Sequence, residues 1–212
     1  MSGVVLYDYS RSSASYRVRI ALNLAGINYR AVPIDLSMGE QRSDSHLARN
    51  PQGLVPVLDI DGLRLTQSLS IIDYLDQTRG LGLLPAEPAV RAHALALAQS
   101  IAVDVHPVCN LSVAQYATTL SDDAEGMPGD WMRHFIRPGL LAFEALLKGF
   151  EQAPFCTGTK PGLADVCLVP QLYNARRWGV DLSELPRVLR VEAECINHPA
   201  FAAAHPDASA QT

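Results

Sequence analysis

The chain lacks what several functional classes require. No stretch approaches the roughly 20 consecutive apolar residues of a membrane-spanning helix. The N-terminus, MSGVVLYDYSRSS, has no charged region followed by a long apolar run, so no signal peptide is expected. Positive charge is not in excess: 17 Lys and Arg stand against 22 Asp and Glu, for a net charge of −5. That balance argues against nucleic acid as a main partner, since nucleic-acid binders carry a basic face. Cysteine is scarce, and Cys109, Cys156, Cys167 and Cys195 show neither CxxC spacing nor a Cys/His grouping, so no metal site is expected. They read as reduced structural thiols of a cytoplasmic protein. Repeats and low-complexity tracts are also missing. What remains is 212 residues, 48% hydrophobic and 18% charged. Such a chain folds into one large domain or two small ones.

Two textures divide it. Up to about residue 80, short strands alternate with helices. A strand is expected over 4–7, a helix over 12–25 stopped by Gly26, a second strand over 29–34 and a polar stretch over 35–50. A hairpin over 55–60 and 63–66 turns at Asp61-Gly62, a strong turn signal. A helix starting at Ser68 turns Leu69, Ile72 and Leu75 inward. The order βαβ, loop, ββα suits a small α/β layered domain. TRGLGLLPAEP (78–88) reads as a linker. Beyond it no segment alternates with period two. Helices are expected over 89–118, interrupted or bent near Pro107, over 131–150, kinked or restarted at Pro138-Gly139, and over 163–178 and 183–195. The expected domains are therefore α/β over 1–80 and all-helical over 88–212, with a DASAQT tail lacking structure.

The most informative stretch is RSSASYRVRIAL, residues 11–22. A strand runs into two hydroxyls, Ser12 and Ser13, and a helical pattern follows at once. Hydroxyls there cap the helix, and its free N–H groups favour negative charge. A thiol held at that point would be favoured as its thiolate, the reactive form. The residue after the pair is Ala14, so the chain does not supply that thiol, and a borrowed one is the natural inference.

An α/β domain, a short linker and a helical domain together resemble the cytosolic glutathione transferases, over nearly the whole chain. SSASYRVRIAL looks like the zeta-class signature, Ser-Ser-Cys-x-x-Arg-Val-Arg-Ile-Ala-Leu, with Ala14 in the cysteine position. Asn50-Pro51, Val55-Pro56, Gln67-Ser68, the run Asn110-Leu111-Ser112-Val113 and ADVCLVPQLYNARRWGVDL (164–182) match in order and separation. The resemblance implies a thioredoxin-like glutathione-binding domain, a glutathione-transferase helical domain and a homodimer.

It also implies roles. Ser12, or Ser13 beside it, donates to the glutathione sulfur. Val55-Pro56 is cis and offers the Val55 backbone to the cysteinyl unit, an edge-pairing mode of recognition; without the flanking motifs it would be a proline ending an edge strand. Gln67 and Ser68 hold the γ-glutamyl carboxylate, although Ser68 alone would read as a helix N-cap. Gln52 contacts the glycine end. His106 and Asn110, four apart and so on one helical face with Asp104 nearby, edge the active cleft; alone they would be a solvated face. Arg11 and one of Arg176 and Arg177 bind substrate carboxylates, each otherwise a surface arginine. Arg17 and Arg19, inside the helix, suggest structural ion pairing. Gly162-Leu163-Ala164-Asp165 resembles a capping box with glycine for the hydroxyl residue. The implied activity is glutathione-dependent cis–trans isomerisation of a small dicarboxylate keto acid, with maleylpyruvate ahead of maleylacetoacetate. The rivals are a conjugating transferase or dehalogenase that consumes glutathione, and a binding or adaptor protein without turnover.

Overall fold

The computed structural model describes residues 3–121 and 125–209. Residues up to Gly82 and those from Asn197 onward form one unit, and Leu83–Ile196 form a second. In the first, β1 (Val5–Asp8), β2 (Arg30–Pro33), β3 (Val57–Ile60) and β4 (Leu63–Thr66) make one sheet in the order β2-β1-β3-β4. β1 and β2 are parallel and connected through α1 (Ser13–Leu24), whereas β3 is antiparallel to β1 and β4. The β3–β4 turn has both central residues at positive φ, Asp61 at 53° and Gly62 at 78°, as a two-residue hairpin of the primed type demands. Tyr7 lies opposite Val57, and Val57 opposite Thr66. Because β3 runs against its neighbours, the exits of β1 and β4 and the entry of β3 share one end of the sheet. The polar stretch after β2 holds a 3-10 turn, Glu40–Arg42, and a short helix, α2 (Asp44–Leu47). α3 (Ser68–Arg79) follows β4 and stops at Gly80, in the left-handed conformation at φ 66°.

α1 buries almost its whole surface, including two arginines that amphipathic periodicity alone would turn outward. Arg19 is fully buried because every side of its guanidinium is answered. Nη1 donates to both Asp8 carboxylate oxygens at 2.8 Å, Nη2 to the Ser10 carbonyl at 2.8 Å, and the group lies 5.2 Å from the Tyr16 ring centre.

The second unit is helical. α4 (Pro88–Gln99) leads into a π-helical turn, Ser100–Val105, and is followed by α5 (Leu111–Thr119), α6 (Met127–Leu147), α7 (Leu163–Arg177) and α8 (Pro186–Asn197). The helical stretch expected over 89–118 is interrupted near Pro107, one of the two outcomes expected there, and forms two helices. The π turn, the missing N–H of Pro107 and the cap at Asn110 separate them. Of the kink or restart expected at Pro138-Gly139, the restart does not occur, and α6 continues through both residues. Gly139 serves packing instead: a Cβ there would lie 2.2 Å from Val105 Cγ2 in the π turn. α7 is the centre of this unit, buried at every residue from Leu163 to Leu172. It starts where the Gly162 N–H and the Cys156 N–H each donate to the buried Asp165 carboxylate at 2.8 Å. Glycine suits this cap, since a Cβ would meet the Leu83 carbonyl and Thr157 Oγ1 at 3.1 Å.

The chain then leaves the helical unit. α9 (Pro199–Ala204) packs on α1, where Arg19 Nε donates to the Ala204 carbonyl and Asn23 Nδ2 to that of Ala200, both at 3.0 Å. The expectation that all of 88–212 is one helical domain is corrected here, because these donors of α1 draw the C-terminal residues to the first unit. Of the tail, Asp207–Ser209 belongs to α10 (Pro206–Ser209), and residues 210–212 lie outside the described ones. Among the described residues no helix is long and apolar enough to cross a membrane.

Candidate functional site

Three chain junctions meet at the shared end of the sheet in the first unit. After β1, Arg11 is an exposed cation in the turn, and Ser12 is the N-cap of α1. Ser12 Oγ accepts from the Ser15 N–H at 3.2 Å. A hydroxyl that accepts in this way keeps its own proton to donate elsewhere. Ser12 is half-buried, while Ser13 is 7% exposed as the first residue of the helix. Of the pair, Ser12 has the accessible hydroxyl.

At the second junction, Val55 and Pro56 enter β3 through a cis peptide bond. The Val55 N–H and C=O have no hydrogen-bond partner among the described residues. The β3–β4 ladder carries this segment towards the third junction, Gln67-Ser68. The reading of Ser68 as an N-cap is corrected. Gln67 holds that position, at φ 65° and ψ 113°, so the chain enters the helix one residue earlier and Ser68 becomes its first residue. A left-handed φ at a non-glycine residue costs on the order of 1–3 kcal/mol and clusters at functional sites. Gln67 makes no side-chain cap, which leaves the first N–H groups of α3 open to an anion.

Side chains tie the junctions together. Gln67 Nε2 donates to Gln52 Oε1 at 2.8 Å, and Arg17 Nη1 donates to Ser68 Oγ at 3.3 Å. Arg17 thus links the signature helix to the second helix start. The sequence reading expected structural ion pairing of Arg17 and Arg19 from their place inside the helix, and Arg19 pairs with Asp8.

The other expected residues lie in the second unit. His106 and Asn110 do not share a helical face, which corrects the i, i+4 argument. His106 follows the π turn, whereas Asn110 caps α5 by accepting from the Leu111 N–H at 2.8 Å. Asp104 is exposed on the π turn. Arg176 is not a free cation: it holds the Glu192 carboxylate with both terminal nitrogens, Nη2–Oε2 at 2.6 Å, on a side chain half exposed. Arg177 stands 6.0 Å from the Tyr173 ring centre and has no ion pair among the described residues. Sequence spacing carried no sign of Glu192, because the pair joins α7 to α8.

The protein's own thiols are poor nucleophiles. All four are buried and unpaired in disulfides. Burial pushes the Cys109 thiol up to about 11, and burial with the neighbouring Asp165 carboxylate raises Cys156 and Cys195 further. No group of His, Cys, Asp or Glu among the described residues could hold a metal ion.

A helix start with a spare hydroxyl proton, an edge peptide without a partner among the described residues and a second helix start with open N–H groups thus stand at one end of the sheet. Comparison with known proteins identifies the family. Residues 6–85 match the family model of the glutathione S-transferase N-terminal domain. The chain is 56% identical to a maleylacetoacetate isomerase of Rhizobium meliloti (strain 1021) over 204 residues, 96% of each chain. It superposes on a holo structure of a maleylpyruvate isomerase, a bacterial zeta-class glutathione S-transferase, with a TM-score of 0.92 and 38% identity, covering 96% of this chain and 97% of that one. A maleylacetoacetate isomerase of Methylobacterium extorquens AM1, solved with bound malonate and glutathione, gives 0.91 and 40% over the same shares. With helix starts, edge peptide and whole-chain similarity in agreement, this chain belongs to the zeta-class glutathione transferases, in the family of the maleylacetoacetate and maleylpyruvate isomerases.

Proposed function

We propose that the chain is a glutathione-dependent cis–trans isomerase of maleyl keto acids, with the first unit holding glutathione and arginines reading the substrate carboxylates. The observation that carries this is the spare proton of Ser12 at the start of α1, beside an edge peptide with no partner of its own. When bound, glutathione supplies a nucleophilic sulfur whose reversible addition to the maleyl double bond permits rotation about the resulting single bond. Ser12 would donate a hydrogen bond from its hydroxyl to that sulfur, and the α1 N-terminus would add its positive field, so both would favour the anion. Val55 offers one N–H and one C=O to the peptide backbone. The open N–H groups of α3, with Ser68 and Gln67, take the carboxylate of the γ-glutamyl end, and Gln52 turns to the glycine end. Arg11, next to Ser12, neutralises one carboxylate of the substrate.

Of the adjacent arginines of the second unit, Arg177 replaces Arg176 as the better candidate for a carboxylate, since Arg176 is engaged by Glu192. His106 remains a candidate at the substrate. Asn110, whose side-chain oxygen caps α5, is a positioning group for that helix. The Methylobacterium relative, solved with bound malonate and glutathione, supports a dicarboxylate substrate. Maleylpyruvate was the first expectation. The 56%-identical relative moves maleylacetoacetate ahead of it, and the superposable maleylpyruvate isomerase keeps maleylpyruvate as the second reading.

The test offers both acids, with and without glutathione, and follows the cis-enone absorbance. Loss of absorbance only when glutathione is present, with the total glutathione unchanged at the end, is the expected result. Equal turnover after exhaustive dialysis would sink the proposal. Consumption of glutathione would favour the conjugating rival, and retention on immobilised glutathione without turnover the adaptor.

A further inference from the structure

Two side chains at the end of α2 converge on one carbonyl. His46, fully buried, brings Nε2 to 3.0 Å from the Leu54 oxygen, and Asn50, one helical turn on, brings Nδ2 to 2.9 Å from the same atom. A carbonyl only accepts, so the imidazole carries its proton on Nε2 and leaves Nδ1 bare. That Nδ1 is buried and has no hydrogen-bond partner among the described residues. A phenyl ring would fill the same space without the cost of an unanswered nitrogen. The value of histidine here therefore lies in what its one polar contact orients.

Resting on the functional reading above, we propose that His46 and Asn50 are positioning residues for glutathione, clamping the Leu54 carbonyl so that the Val55 N–H is presented to the bound peptide. The two donors occupy both lone pairs of that oxygen and so set the plane of the Leu54–Val55 peptide unit. In a planar trans peptide the N–H points opposite to the C=O, so fixing Leu54 fixes the Val55 N–H. That N–H has no partner among the described residues. Asn50 also accepts from the Gln52 N–H at 3.1 Å, which extends the clamp to the residue that meets Gln67. From the other side the loop is pressed against its neighbours. At Gly53, φ 62°, a Cβ would lie 2.9 Å from Arg42 Nη1 and 3.0 Å from the Gln41 carbonyl.

The experiment measures, by calorimetry well below each protein's melting temperature, the Kd of glutathione and of S-methylglutathione for the parent, His46→Phe and His46→Gln. The phenyl variant is expected to weaken both ligands about tenfold, the worth of one hydrogen bond. Blocking the sulfur does not alter the loss, and kcat at saturating glutathione is unchanged. His46→Gln, whose amide nitrogen takes the place of Nε2, is expected to return both within about threefold of the parent. Binding of both ligands by His46→Phe within about twofold of the parent overturns the proposal, and so does failure of glutamine to restore it. If the phenyl variant does not fold, His46→Asn, with an amide too short to reach Leu54, takes its place with the same expected and opposing results. A parent that binds neither ligand overturns the functional reading itself, and this inference with it.

Discussion

In the first unit the candidate groups sit where strands end and helices begin; in the second they sit on helix surfaces and meet partners from their own unit. Ser12, Val55 and the start of α3 present backbone or hydroxyl hydrogen-bonding capacity that the fold leaves unanswered. Arg176 and Asn110 are engaged, the one by Glu192 and the other by the α5 backbone. Junctions expose unsatisfied N–H groups by necessity, because the first turn of a helix has no preceding carbonyls. Long side chains on a helix surface find whatever opposite charge the next helix offers. The comparison teaches that the first unit is built to bind, while in the second the residue type alone does not identify a binder.

The comparison can be broken most severely at Arg19. Arg19→Met leaves the buried Asp8 carboxylate without its partner and removes the tie to α9, and such a loss costs about 3–5 kcal/mol. The expected outcome is a large fall in melting temperature and weaker glutathione binding by calorimetry. A variant that melts with the parent would show that this ion pair does not organise the first unit.

Ser12→Ala tests the chemistry with little change of fold. Turnover should drop by about 10²–10³, as for the loss of one oriented donor to developing charge. Glutathione should still bind, since the Val55 edge and the α3 start remain. Near-normal kcat would remove Ser12 from the reaction.

Gly139→Ala addresses the second unit alone. The added methyl overlaps Val105 Cγ2, and overpacking of this kind costs about 1–3 kcal/mol. Stability should fall while the Kd of glutathione stays as in the parent; a changed Kd would deny the separation of roles drawn above.

The smallest effect distinguishes the adjacent arginines. Arg177→Ala is expected to raise the KM of the maleyl substrate about tenfold, consistent with one charge-assisted contact. Arg176→Ala should leave it within about twofold. The reverse pattern, measured by initial rates at saturating glutathione, would mean that Glu192 releases its partner to the substrate.

Much of the first unit was legible because its signals are local. The Ser12 cap follows from a hydroxyl before an apolar period, and the hairpin from Asp61-Gly62, whose residues tolerate positive φ. Signals failed where a distant element intervened. Gln67, not Ser68, holds the N-cap position of α3 without capping it, because the backbone leaving β4 takes a positive φ one residue before the hydroxyl. His106 and Asn110 were expected on one face, but a π turn and a cap divide them. At Gly139 the feature read as a break is a contact, visible only once the π turn is packed against α6.

Residue order sufficed for the layered α/β start, the helical remainder, the charge-favouring helix entry and the lack of a thiol beside it, because each depends on neighbours within a few positions. The convergence of three junctions at one sheet end, the burial of Arg17 and Arg19, the withdrawal of Arg176 into an ion pair and the return of the C-terminal helices to α1 depend on groups beyond local reach, from 11 residues apart for Arg19 and Asp8 to 185 for Arg19 and Ala204. No local pattern encodes such pairings. They arise when a buried donor must find an acceptor and the folded chain has brought one within reach.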